Sequence, residues 1–208
     1  MFKLYYAPGT VALASHIALQ EAGAAYTTER LDFESNQQNS REYLAINPKG
    51  RVPALVTDRG ILTETPAMLV FIAQSFPERK LAPLDDPYTF AQVQAFNSYL
   101  CSTVHVAHAH KLRGYRWAID EASFADMKRL VPKSVGASFA LIERGMLKGP
   151  WVMGDSYKIC DPYLFTLAQW LEGDSVDLSA LPRVIEHRQR MSERPAVQKV
   201  MAEQLTPA

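Results

Sequence analysis

Four short stretches of this chain carry residues whose types and spacing could do chemistry. The first is the run Tyr6-Ala7-Pro8-Gly9-Thr10-Val11-Ala12, a bend between an apolar strand and a helix that stops at Gly23. A strand-bend-helix junction aims unpaired backbone N–H groups and the positive end of a helix dipole at whatever occupies the bend. That environment favours a thiolate, yet the bend contains no cysteine. Any sulfur activated there must arrive with a ligand. A free thiol has a pKa of about 8.5, and lowering it by about two units takes roughly 2.7 kcal/mol of preferential thiolate stabilisation. One charge-assisted hydrogen bond plus a helix N-terminus supplies that amount. Thr10 in the bend and Tyr6 at the strand end are the candidate donors. Their plainer roles are turn formation for Thr10 and a half-buried sheet position for Tyr6. Ser15 lies a full turn too deep.

The second stretch is Asn47-Pro48-Lys49-Gly50-Arg51-Val52-Pro53, which opens a β-rich segment at a proline. Proline cannot donate in a sheet ladder and is confined to strand starts and edges. Two readings stand: a trans proline opening an edge strand, or a cis Val52–Pro53 bond. The cis form would turn the N–H and C=O of Val52 outward, to pair with an extended peptide as an added strand would. The third stretch is Glu64-Thr65-Pro66, a strand-to-helix handover. Thr65 with the helix N-terminus is a carboxylate receptor, and Glu64 could neutralise an ammonium. The plainer reading has Thr65 capping its helix and Glu64 in water. Taken together, a peptide-pairing loop and a receptor for an amino-acid head describe a site for a small γ-linked peptide thiol.

The fourth stretch is a polar stripe of Ser98, Cys101, His105 and His108 at helical spacing. On spacing alone, His105 reads as a helix histidine facing solvent or a subunit interface. His105, His108 and His110 invite a metal reading, but only the first two share a face and no third ligand is visible, so no metal is expected. Cys101 reads as an inert helix cysteine.

These residues need elements to hold them. Strands are expected at 2–6 and 26–31, and helices at 11–22 and 39–45, the latter with Asn39 and Glu42 at capping-box spacing. A hairpin turns at Asp58-Arg59-Gly60, and a helix opens at Thr65-Pro66 with the threonine hydroxyl at its cap. The order is β-α-β-α-β-β-α, an α/β domain over 1–77. Residues 78–88 read as a linker, and 89–208 as an all-α domain. There, Val93, Phe96, Leu100, Val104 and Ala107 make one apolar stripe, with more helices at 124–146, 161–172 and 182–204. The 208 residues suffice for two modest domains, and 22 basic against 22 acidic side chains leave no charge case for nucleic acid or an anionic membrane. No segment has the length of a signal peptide core or a membrane span. Two distant cysteines suit a reduced cytoplasm.

The stretches LYYAPGTVALASHIALQEAG, YLAINPKGRVPAL, LTETPA and MSERPAVQKV resemble bacterial cytosolic glutathione transferases, closest to the beta class, along nearly the whole chain. The resemblance implies a thioredoxin-like first domain, an all-helical second domain and a homodimer. It implies glutathione as co-substrate, with Val52 on the cysteinyl backbone and Glu64 and Thr65 on the γ-glutamyl head. Pro53, Arg51 and Ser98 complete the expected ligand contacts, and Thr10, Tyr6 and His105 the expected catalytic set. The second substrate would be a small hydrophobic electrophile, with Val11, Tyr115 and Trp117 as lining. The chain departs from the pattern at Val11, where beta-class members carry cysteine, so a disulfide-exchanging role is not expected. It also departs at Lys158, where the family's second-domain cap is serine or threonine, although Asp161 three residues later is retained. Two alternatives share the scaffold: a glutathione-binding regulatory protein of weak activity, and a glutathione-dependent isomerase or dehalogenase.

Overall fold

The computed structural model describes residues 1–205, so the last three residues of the expected 89–208 domain lie outside it. The chain forms two compact units: residues 1–90 together with the segment from 191 onward, and residues 91–190.

The first unit is built on a four-stranded sheet of order β2-β1-β3-β4, formed by β1 (Phe2–Tyr6), β2 (Tyr26–Arg30), β3 (Ala54–Thr57) and β4 (Gly60–Thr63). β1 runs parallel to β2, from Phe2↔Tyr26 to Tyr6↔Arg30, and antiparallel to β3. β4 folds back antiparallel on β3 through the expected hairpin. Alternation along β1 decides what each face receives. Tyr6 packs its ring 5.6 Å from His16 of helix α1 (Ala12–Ala22), and Phe2 meets Phe71 of α3 (Thr65–Ser75). Tyr5, pointing the other way, meets Tyr43 of α2 (Arg41–Ile46). This is the thioredoxin-like arrangement.

Helix α1 is apolar on nearly every side, as a helix caught between layers must be. Ala12 through Leu19 are all buried, including Ser15 and His16. Besides the sheet it packs on α3 and on the last helix, α9 (Pro195–Leu205). Gly23 stops it in the left-handed conformation, φ 66°, with its N–H on the Gln20 carbonyl.

Two caps differ from expectation. Helix α2 is capped by Ser40, whose extended backbone lets its hydroxyl accept from the Tyr43 N–H; Asn39 ends a preceding 3₁₀ turn and donates its amide to Asn36 instead. Helix α3 has Glu64 at its cap and Thr65 as its first helical residue, so Thr65 does not cap it.

The second unit carries α4 (Pro87–Tyr99, most of it), α5 (His105–Ala109), α6 (Glu121–Leu141), α7 (Cys160–Ala168) and α8 (Pro182–Ser192). The expected apolar stripe is buried from Val93 to Ala107. Between α4 and α5 the chain widens into a π-helical turn over Leu100–Val104. Helix α7 is buried along its length and centres the unit. Asp161 in its first turn has more to do than complement the dipole. Its carboxylate, 0% exposed, accepts the N–H groups of Val152 (2.8 Å) and Lys158 (2.6 Å) and the Nε2–H of His187 (2.9 Å). The region 182–204 is two helices, α8 and α9, broken before Pro195. Among the described residues no helix is long and apolar enough to cross a membrane.

Candidate functional site

The bend between β1 and α1 is held by Thr10, whose hydroxyl donates to the Ala7 carbonyl at 2.6 Å and accepts weakly from the Ala12 N–H at 3.4 Å. Its proton is therefore already committed. The N–H of Val11, at the helix cap, has no partner among the described residues. Sequence reasoning anticipated free N–H groups here and looked to the Thr10 hydroxyl or N–H for the donor, but both donate to the Ala7 carbonyl. Tyr6 is only 5% exposed, and burial, opposed by Arg30, pushes its phenol above the ordinary range. A phenol made less acidic is a weaker donor. Val11 is buried, whereas Tyr115 and Trp117 are open to solvent at 63% and 46%, a surface placement their loop did not announce.

The Val52–Pro53 bond is cis, and Pro53 leads directly into β3. The preceding loop is clamped: the Arg51 carbonyl accepts from the Tyr43 hydroxyl and from Asn47 Nδ2, each at 2.6 Å. Asn47 is itself buried and receives the Lys49 N–H on its Oδ1. Gly50 turns the loop at φ 59°, where an added Cβ would lie 2.7 Å from Asn39 Oδ1. The Arg51 side chain is exposed, and Val52 and Pro53 are buried. Neither backbone group of Val52 has a partner among the described residues, which leaves an edge where an extended peptide can add two hydrogen bonds.

Glu64 adopts φ 72°, ψ 115°, a conformation that residues with a side chain rarely take. Such outliers persist where the surroundings demand them, often at ligand sites. Behind Glu64, the Thr65 N–H and hydroxyl and the Ala67 N–H are unpaired among the described residues, and Pro66 has no N–H to offer. The start of α3 is thus an open anion receptor next to a carboxylate. That carboxylate holds Lys49 at 2.7 Å, a partner sequence reasoning missed although Lys49 stands in the very loop it singled out.

Thr10, Tyr6, Arg51, Val52, Pro53, Glu64 and Thr65 all belong to the first unit, while Ser98 and His105 belong to the second. Ser98 is exposed, its carbonyl taking the Ser102 hydroxyl. His105 is half-buried with its ring 5.2 Å from that of Trp170. The other face of this cluster is His108, stacked on Trp170 at 4.2 Å and bonded through Nδ1 to buried Asp174 at 2.6 Å. Lys111 joins Asp174 and the Gly173 carbonyl. Trp170 and Asp174 grip His108 from one turn of chain, four residues apart, which no local pattern in the α5 sequence signals. Among the described residues no cluster of three metal-ligating side chains occurs.

Sheet order, the cis-proline loop and the acidic turn at a helix start define a thioredoxin-like first unit with an open peptide edge and an open helix start. Residues 1–74 match the family described as the glutathione S-transferase N-terminal domain. Over 203 residues the chain is 32% identical to glutathione S-transferase GstA of Escherichia coli O157:H7, covering 96% of this chain and 97% of that protein. Among solved structures it matches a glutathione transferase homologue from Sulfitobacter with bound glutathione, at 44% identity and a TM-score of 0.96 over 99% of both chains. It also matches a bacterial beta-class glutathione S-transferase of Sphingomonas chungbukensis, at 29% identity and a TM-score of 0.86 over 98% of each. The chain belongs to the glutathione S-transferase family.

Proposed function

We propose that the protein is a glutathione transferase: it binds glutathione, lowers the pKa of its thiol, and presents the thiolate to a small hydrophobic electrophile. The carrying observation is the peptide edge at Val52 beside the Glu64–Thr65 receptor, on a chain 44% identical to a homologue with glutathione bound. Val52 pairs with the cysteinyl backbone. The α-carboxylate of the γ-glutamyl head lies on the Thr65 N–H and hydroxyl, and its ammonium on Glu64. Residues 1–77 form the domain that carries these contacts. The sulfur then rests at the bend, where the Val11 N–H and the α1 dipole stabilise the thiolate. Thr10 keeps the bend in shape and lends its hydroxyl only by releasing Ala7.

In the reaction the thiol proton leaves to solvent, the sulfur lone pair forms a C–S bond to the electrophilic carbon, and the leaving group departs with its bonding pair. We place the protein near the beta class, with Val11 at the position of that class's cysteine, so the protein makes no mixed disulfide with its ligand at the bend. Both cysteines are free, which supports a reduced, cytoplasmic setting, and we propose a homodimer there. The test is a titration of bound glutathione by its thiolate ultraviolet absorbance. A thiol pKa at least one unit below that of free glutathione supports the reading. Binding with an unshifted pKa would leave a glutathione-binding protein, and no binding would end the proposal. Tyr6→Phe and His105→Ala in the same titration test the two remaining donors.

A further inference from the structure

The carboxylate assigned to the ligand's ammonium is not bare. Lys49 Nζ lies 2.7 Å from Glu64 Oε1 and 2.6 Å from Thr63 Oγ1. An alkylammonium already sits on the receptor, and it belongs to the protein. Its arrival there follows from the loop. Buried Asn47 fixes the backbone through Lys49 N–H and Arg51 O, Gly50 turns the chain, and the long lysine side chain reaches from a rigid base to the end of β4. The pair is accessible, with side-chain exposures of 42% for Lys49 and 57% for Glu64. Such pairs are weak and exchange readily with water or with a competing cation.

We propose that Lys49 is a specificity-determining residue, an internal competitor for Glu64 that sets how sharply the site selects ligands bearing an α-ammonium group. The inference rests on the reading of Glu64 as the ammonium receptor. A ligand with an ammonium displaces Lys49 into solvent and gains only the difference between the two pairs. A ligand without one leaves Lys49 in place, and Glu64 stays neutralised. Remove Lys49 and the two cases separate. The ammonium ligand meets an unoccupied carboxylate, while the other ligand leaves that carboxylate without any cation.

The experiment is calorimetric binding of two probes to the wild-type protein, Lys49→Met and Lys49→Arg. The probes are glutathione and its analogue with hydrogen in place of the γ-glutamyl amino group. For Lys49→Met, glutathione is expected to bind about two- to fivefold tighter, the size an exposed ion pair allows. The analogue is expected to bind no tighter than to wild type, so the preference for the ammonium rises. Lys49→Arg keeps the wild-type ratio. Weaker glutathione binding by Lys49→Met would make Lys49 a direct ligand contact and overturn the proposal, as would an unchanged ratio. Failure of the underlying reading looks different: wild type would not distinguish the two probes, and Glu64→Gln would affect both equally.

Discussion

Asp161→Ala is the sharpest test of how the helical unit is held together. The Asp161 carboxylate is fully enclosed and accepts from three donors: the Val152 N–H, the Lys158 N–H and the His187 Nε2–H. Those donors come from a loop, the turn before α7, and α8, so one side chain ties three separate pieces of chain. Hydrogen bonds to a charged group are worth about 1.5–3 kcal/mol each, and a buried donor left unpaired costs about 1–3 kcal/mol. The full sum is not realised, because water reaches the partly open Lys158 N–H once the carboxylate is gone. Breaking a buried pair by removing one partner typically costs about 3–5 kcal/mol, and that range is expected here. At about 2–4 °C per kcal/mol for a chain of this size, the melting temperature should fall by roughly 6–20 °C. Urea unfolding followed by circular dichroism measures the first quantity, and calorimetry the second. Asp161→Asn keeps an acceptor but turns an amide N–H toward a donor, so it should recover part of the loss. A cycle with His187→Ala should show coupling of the two residues. A loss below about 1 kcal/mol for Asp161→Ala would refute the reasoning, since the enclosed Val152 N–H and His187 Nε2–H cannot be orphaned that cheaply.

Glu64→Gln should weaken glutathione about three- to tenfold by calorimetry, a charge-assisted contact discounted for its exposure, and should leave the melting temperature unchanged. Thr10→Val removes the bond to Ala7 but not the Val11 N–H; it should cost about 1 kcal/mol of stability and move the bound thiol pKa by less than about half a unit. A shift of a full unit would make the Thr10 hydroxyl the activating donor. His16 is held neutral: burial first, then the Lys199 charge, lowers its pKa from 6.5 to about 4. Glu203 Oε2 stands 3.2 Å from its Nε2 and would act the other way, but the contact is not aligned as a hydrogen bond and Glu203 is largely exposed, so enclosure prevails. Because the folded pKa lies below the unfolded one, protons bind the unfolded chain preferentially. This part of the stability is complete above about pH 6.5 and is lost as pH falls toward 4, on the order of 2–3 kcal/mol. His16→Gln should flatten that slope in urea melts run at pH 7 and pH 4.5.

The elements were legible where their signals are local. Proline and glycine around the bend, Gly23, and the Asp58-Arg59-Gly60 turn each act within a few residues, and the stripe from Val93 to Ala107 follows from helical spacing alone. The caps were off by one residue because a cap is decided by backbone angles: Asn39 has suitable chemistry, but Ser40 has the extended conformation. The isomer at Pro53 was not decidable locally, since what surrounds it is Tyr43 and Asn47 closing on the Arg51 carbonyl. The partners of Asp161 were hidden for the same reason, one lying nine residues earlier and another 26 residues later. Lys49 on Glu64 joins two stretches that had each been noticed, and only the fold of the sheet brings them within reach.

The return of α9 to the first unit has a bearing on how the protein is made. Helix α1 leaves the ribosome early, yet Glu21 waits 173 residues for Arg194, which meets it at 2.9 Å, and His16 waits still longer for Glu203 and Gln204. Until that distant helix emerges, one flank of α1, the helix that begins at the bend, has nothing to pack on. The first unit is therefore finished last, although most of its sequence is read first.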